Sequence, residues 1–203
     1  MCRRALVSLA ALVLVASVLV SSGASAKGPL TFKVRLIQEQ TFRHPHPPDG
    51  KDGDTFSTTL RLFAVGRVLG FPGITVAAVN GHAFAAGAML TCAHDIVVMR
   101  EDRGYWCLPE VDLGLPLTPA MHAVVAAHVS EPTLRDALHS GRRFSGPEAK
   151  AAGIVSETAP EALVLERAIA RASELAGKNR AVIRTHKQLM YGRALELCGL
   201  PPA

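Results

Sequence analysis

The chain has no cysteine framework. Of four cysteines in 203 residues, Cys2 falls in an apolar N-terminal stretch. That leaves Cys92, Cys107 and Cys198, an odd number without metal-ligand spacing. They are expected to be buried free thiols, which suit a reducing compartment. The two histidines of the polar, proline-rich stretch, His44 and His46, lack further ligands and are read as solvated. Blocks of like charge are missing as well. The net charge of +5 is dispersed, with Arg142-Arg143 the only internal basic pair, which argues against a nucleic-acid partner and leaves an anionic small molecule as the fitting one. No repeat of fixed period is present. The longest apolar run, Ala5 to Val20, has 16 residues, short of the roughly 20 that span a bilayer.

What is present describes a globular chain. Its 49% hydrophobic and 19% charged content suits a single sizeable core. Residues 1–26 are set apart: Arg3 and Arg4, the apolar run, then SSGASA ending at Ala26 form a signal-like apolar leader. Membrane contact is expected only through that leader, if it stays uncleaved. Residues 27–54 are read as an irregular N-terminal segment. It holds one alternating strand pattern, Thr31 to Ile37, and the loop TFRHPHPPDGKDGD. The domain proper is placed at 55–203, with a helical region from about residue 118.

Within that domain the spacing of Leu60, Phe63, Ala64 and Val68 predicts a helix ended by Gly70 and Pro72. Ile74 to Val79 reads as a strand buried on both faces, with Asn80-Gly81 as its exit turn. Ala85 to Ala93 predicts a helix of small residues, Asp95 to Met99 a second buried strand, and Tyr105 to Leu115 a loop holding Cys107 and Glu110. Helices follow at Thr118 to about Val129 and from Ser130 to Ser140. Ser145 and Glu148 match a capping box, and Ile154 to Ser156 is read as a strand. Leu165, Ala168, Ile169, Ala172 and Ala176 form one apolar stripe, and Asn179 to Leu197 is a basic helix. Strands alternating with helices make the fold class α/β.

Two features carry chemistry. In NGHAFAAGAM, Asn80 to Met89, the residues Ala85, Ala86, Gly87 and Ala88 bear almost no side chain. Their amides open a helix and could stabilise a carbonyl oxygen that gains charge. A tight helix-on-sheet crossing would use the same residues. Glu110, flanked by Pro109 and Val111 in apolar surroundings, is the candidate acid/base, since such a setting raises a carboxyl pKa.

Together with H-D-I-V-V-M-R-E-D-R-G at His94 to Gly104, P-E-V-D-L-G-L at Pro109 to Leu115 and F-S-G-P-E-A-K-A-A-G-I-V at Phe144 to Val155, the stretch A-A-V-N-G-H-A-F-A-A-G-A at Ala77 to Ala88 resembles the enoyl-CoA hydratase/isomerase (crotonase) superfamily. It is most similar to plant peroxisomal Δ3,Δ2-enoyl-CoA isomerases. The likeness covers about 85 residues, Phe71 to Val155, and extends more loosely into the C-terminal helices. It implies a crotonase-like ββα superhelix, N-terminally truncated, followed by helices.

By that resemblance the Ala86 amide supplies one oxyanion-hole hydrogen bond to a thioester carbonyl. Glu110 takes a proton from C2 of a 3-enoyl-CoA and returns one at C4. Ala85 and Gly87 are expected to line the substrate, and Lys187, with Arg184, to reach a CoA phosphate unless that helix face is simply solvated. Hydratases of the superfamily use a second glutamate where this chain has Met89, so isomerisation is expected over hydration. No metal and no separate cofactor is expected, because coenzyme A is part of the acyl-CoA substrate; a homotrimer is the implied assembly. The family's earlier F-S-x-G-x-D-L segment, source of a second oxyanion amide, is not found. A truncated, non-catalytic crotonase-fold subunit or interaction protein is therefore the alternative, and a hydratase relying on Glu110 the second. The resemblance implies a peroxisome; the leader points to a secretory or membrane route.

Overall fold

The computed structural model describes residues 15–19, 30–32 and 64–200. The loop expected at 41–54 with His44 and His46, and most of the helix expected from Thr55, lie outside the described residues. Helix α1 is described over 64–69.

Two sheets organise the molecule. The larger has five strands in the order β2 (Leu30–Phe32), β1 (Val15–Leu19), β3 (Thr75–Val79), β5 (Ile96–Arg100) and β8 (Glu157–Ala159). The smaller has three, β4 (Ala83–Phe84), β6 (Tyr105–Cys107) and β7 (Phe144–Ser145), in the order β4–β6–β7. β3, β5 and β8 run parallel, and β1 joins β3 antiparallel with Val15 opposite Val79. Five residues of the leader stretch are thus a sheet strand in this structure.

The chain passes from one sheet to the other and then into a helix, twice: β3–β4–α2 (Ala86–Cys92), then β5–β6–α3 (Glu110–Leu113). This is the ββα order expected. Helices α4 (Pro119–Ala126), α5 (Glu131–Ser140), α6 (Gly146–Ala151), α7 (Val164–Glu174) and α8 (Arg180–Leu197) complete the C-terminal half.

β3 is buried at every position, as its unbroken β-branched and small composition predicts. Ala77 and Val79 face a large core shared with α2, α4 and α8. Val76 and Ala78 face a smaller one closed by Val164, Ala168 and Ala172 of α7. Ala168 and Ala172 belong to the apolar stripe read from the sequence, and Val164, four residues earlier, extends it. Leu165 of that stripe instead stands 39% exposed.

Local chemistry explains the helix ends. Thr118 caps α4 by accepting from the Met121 amide, and Ser145 with Glu148 forms the expected capping box of α6. The strand expected at Ile154 to Ser156 is displaced to Glu157–Ala159. The physical reason is at the end of α6, where the amides of Ile154 and Val155 turn back to the Ala149 carbonyl at 2.8 and 3.2 Å. These amides are spent satisfying a helix terminus and cannot join a ladder. The loop expected around Cys107 and Glu110 is also corrected: Cys107 ends β6, and Glu110 is the first residue of α3, whose end Gly114 closes at φ 66°.

Helix α8 is tied to the sheet by a buried ion pair. The Lys187 ammonium, 4% exposed, donates to Asp95 Oδ2 at 2.7 Å and to the Gly73 carbonyl at 2.9 Å. Asp95 Oδ2 also accepts from the amide and hydroxyl of Thr75 at 2.6 and 2.9 Å. These donors converge on one oxygen of a part-buried carboxylate, so that its polar atoms are not left unpaired. Beside it His94 is buried with Nδ1 2.8 Å from the Leu90 carbonyl.

Two predictions follow from this framework. Desolvation by burial lowers His94 from its ordinary 6.5 to about 4, and burial lowers His128 too. Between those values the unfolded chain binds a proton that the folded chain refuses. Stability is therefore full above pH 6.5 and falls as pH drops towards 4, by up to about 3 kcal/mol for His94. Urea unfolding at pH 7 and 4.5 should show this loss, with a shallower dependence in His94→Gln; an unchanged midpoint in the unsubstituted chain would contradict it. Ala85 lies at φ 50°, ψ −120°, a region that costs a residue with a Cβ roughly 1–3 kcal/mol. Ala85→Gly should accordingly raise the urea midpoint, by about 1 kcal/mol of stability, and Ala85→Val should lower it.

Candidate active site

Ala83 and Phe84 of β4 pair in parallel with Trp106 and Cys107 of β6. The Ala85 amide then donates to the Cys107 carbonyl at 3.0 Å, extending the ladder by one bond. Parallel neighbours finish at the same edge, so the two strands release Ala86 and Glu110 on one side of the small sheet. Ala86 is the first residue of α2 and Glu110 the first of α3.

The pairing starts as tightly as it ends. Gly104, at φ 102°, leads into β6, and a Cβ there would land on the carbonyl of Gly81. This contact demands glycine, and it presses the entry of β6 against the turn that precedes β4.

At Ala85 the backbone turns into α2 through the positive φ noted above, with the Met89 amide bonding back to the Ala85 carbonyl at 3.0 Å. As first residue of the helix, Ala86 has an N–H without an intrahelical acceptor. The residue is exposed. Gly87 and Ala88 are buried behind it, where they allow α2 to sit close on the sheet. The tight helix-on-sheet crossing is thus made by Gly87 and Ala88, while Ala86 stands at the exposed start of the helix.

Glu110 is half-buried, and its Oε2 is buried with no hydrogen-bond partner among the described residues. Desolvation by burial raises its carboxyl above the ordinary 4.5, opposed by a hydrogen bond from its own backbone. Such a group accepts and returns a proton near neutrality more readily than a solvated carboxylate. Glu110 opens onto a groove of about 950 Å³ whose walls include Val111, Leu115, Leu117, Ala123, Leu138 and Leu197. This groove is open and mostly apolar, with His122 and His139 also in its lining, and it suits a flexible hydrocarbon chain.

Helix α3 is held from below. Gly141 closes α5 at φ 62°, and a Cβ at this position would stand against the Asp112 carboxylate. The Gly141 carbonyl accepts from Cys107 Sγ at 3.2 Å. Asp112 therefore sits against the end of α5, where it can steady the helix that begins with Glu110.

Other expected residues lie elsewhere. Lys187 is a correction: its ammonium is spent on Asp95 and Gly73, at the N-terminal ends of β3 and β5, and it is neither solvated nor in the groove. Desolvation by burial lowers its pKa, and Asp95 opposes that shift. Arg184 is exposed on α8. His82 is exposed, with its ring 5.0 Å from Phe84 and 5.8 Å from Tyr105. Met89 is 4% exposed and belongs to the large core. The three cysteines Cys92, Cys107 and Cys198 are buried free thiols, as expected. Among the described residues no helix is long and apolar enough to cross a membrane, and no group of three metal-ligating side chains is found.

Sequence reasoning missed a pair that ties the two halves together. Trp106 Nε1 donates to Thr91 Oγ1 at 3.0 Å, and Thr91 donates to the Ala88 carbonyl at 2.6 Å. The one tryptophan of the chain, four residues before Glu110, was the available signal.

Comparison with known proteins bears on this arrangement. The profile of the enoyl-CoA hydratase/isomerase family matches residues 51–196. Enoyl-CoA delta isomerase 3 of Arabidopsis thaliana is 40% identical over 136 residues, 64% of this chain and 56% of the relative. The peroxisomal enoyl-CoA delta isomerase 2 of the same plant is 37% identical over 141 residues, 67% of this chain and 58% of the relative. The solved apo enoyl-CoA isomerase of Mycobacterium tuberculosis superposes with a TM-score of 0.64 at 29% identity, over 69% of this chain and 62% of that one. The chain thus spans less than two thirds of each relative. A profile match across most of its length, with the same ββα passage between two sheets, shows that the chain belongs to the enoyl-CoA hydratase/isomerase family.

Proposed function

We propose that this chain acts as a Δ3,Δ2-enoyl-CoA isomerase, moving the double bond of a 3-enoyl-CoA to the 2-position in fatty-acid β-oxidation. The observation that carries the reading is Glu110: a carboxylate with one buried oxygen unpartnered among the described residues, opening the helix that follows β6, the strand paired with the one that leads to the Ala86 amide.

The thioester carbonyl oxygen accepts from the Ala86 N–H, which stabilises negative charge on that oxygen. Glu110 removes a proton from C2, and the electron pair delocalises over the thioester and the C3–C4 double bond as a dienolate. The protonated Glu110 then delivers its proton to C4, leaving the double bond between C2 and C3. One proton leaves, one arrives, and no electrons are gained or lost overall. The acyl chain fits the apolar groove beside Glu110. Coenzyme A enters and leaves as part of the substrate, so the chemistry calls for no separate cofactor.

Hydration has less support. It needs a second group to handle water, and Met89 of α2, where the family resemblance would place a second carboxylate, is buried among apolar side chains. A peroxisomal setting and a homotrimeric assembly are part of the same proposal. The first follows the likeness to the plant isomerases.

Purified chain given a 3-enoyl-CoA should form the conjugated 2-enoyl thioester, followed by its ultraviolet absorbance. Glu110→Gln should lower kcat by about 10²–10⁴-fold, the usual worth of a positioned acid/base. Absence of turnover in the unsubstituted chain would leave the non-catalytic reading in its place, and full turnover in Glu110→Gln would remove Glu110 as the acid/base. Since burial raises Glu110, kcat/KM should decline on the acid side with an apparent pKa above 4.5, the carboxylate being the active form.

A further inference from the structure

The short helix that carries Ala86 has little of its own to hold it. α2 has seven residues, no side-chain cap at Ala85 and no acidic residue in its first turn. It also begins from a strained backbone at Ala85. A helix of two turns is marginal by itself and takes its position from tertiary contacts.

Two of those contacts come from consecutive residues of β6. Cys107 accepts the Ala85 amide at the mouth of the helix. Trp106, fully buried, reaches the middle of the helix through Thr91, which is 1% exposed. The Thr91 hydroxyl has one proton to donate and gives it to the Ala88 carbonyl; its lone pair receives the indole N–H. Each group in this relay is thereby satisfied in an interior where an unpaired one would be costly. Phe144 of β7 packs edge-on to the indole at 6.0 Å between centroids and limits its tilt. After Cys107 the same strand leads to Glu110 in three residues.

We propose that Trp106 and Thr91 are positioning residues for the proton transfer: the indole–hydroxyl–carbonyl relay sets where the Ala86 amide stands relative to the Glu110 carboxylate. This rests on the isomerase reading. Neither side chain touches substrate; Trp106 and Thr91 are both closed off from solvent. Their effect belongs to the transition state, when oxygen gains charge at the amide while the proton moves at the carboxylate. Small misplacements at such a step are expensive, on the order of 10²-fold for about 1 Å.

The test compares Trp106→Phe, Thr91→Val, the double variant and Thr91→Ser with the unsubstituted chain. Phenylalanine keeps most of the apolar volume and removes the donor. Valine keeps the shape of threonine and removes the relay, whereas serine keeps the hydroxyl. The expected result is a fall in kcat of about tenfold or more in Trp106→Phe and in Thr91→Val, with KM within about twofold. The double variant should be no worse than the poorer single, because one relay is broken in each. Thr91→Ser should restore kcat. Each protein is assayed where circular dichroism shows it folded, and emission of the lone Trp106 checks the relay in the threonine variants. An enolate-mimicking thioester should lose affinity for the relay variants, while a saturated acyl-CoA should not. Unchanged kcat in folded Thr91→Val, or equal loss in Thr91→Ser, would overturn the positioning role and leave the isomerase reading standing. No Glu110-dependent turnover in the unsubstituted chain, together with no preference for the enolate mimic, would overturn both.

Discussion

The parallel pairing of β4 with β6 is the constraint on which the candidate site depends. It comprises two short strands and one further bond, from the Ala85 amide to the Cys107 carbonyl. Everything chemical is placed by where those strands stop. One runs on into a helix that begins with the exposed Ala86; the other runs on into a helix whose first residue is the carboxylate. A slip of one residue in this register would turn every side chain of the slipped strand to its opposite face. The close approach of Gly104 to Gly81 and the buried Trp106–Thr91 bond oppose such a slip at different points along the pairing.

Two carboxylates in the same fold show how burial is put to opposite uses. Asp95 collects a lysine ammonium, a hydroxyl and an amide on one oxygen. Its charge is fully occupied, and it ties α8 to the sheet. Glu110 has one oxygen buried with no partner among the described residues, and its carboxyl is pushed up by desolvation. A carboxylate whose burial is only partly offset by a hydrogen bond gains by taking a proton, and this is the property that a reversible base requires. The first group is structural because it is satisfied. The second has its pKa raised because burial is not matched by a full set of donors.

Much of this was legible in the sequence, and the reasons are local. The continuous apolar run at Thr75–Val79, the capping box at Ser145 and Glu148, and the small residues from Ala85 to Ala88 each report a requirement met within a few residues. Glu110 was identifiable from its apolar neighbours and family motif, although it opens a helix where a loop was expected. What could not be read depends on distant partners. β4 and β7 have two residues each, too short for any period to show. Lys187 looks like an ordinary member of a basic helix, and only a carboxylate 92 residues earlier makes it a buried one. The positive φ of Ala85 has no signature either, since alanine gives no hint of a backbone that favours glycine. The Trp106–Thr91 bond joins residues 15 apart on different elements, beyond any helical or strand repeat.

The central claim is that one carboxylate, fixed beside one amide by a shared strand pairing, carries a proton from one carbon to another on the same molecule. Its most direct test is label transfer: 3-enoyl-CoA bearing deuterium at C2, converted by the isolated chain in ordinary water, with the product read by mass spectrometry and NMR. A measurable fraction of the product should carry deuterium at C4, delivered by the Glu110 that removed it. Turnover in which C4 takes its hydrogen from water alone, with no deuterium above background, would contradict the claim.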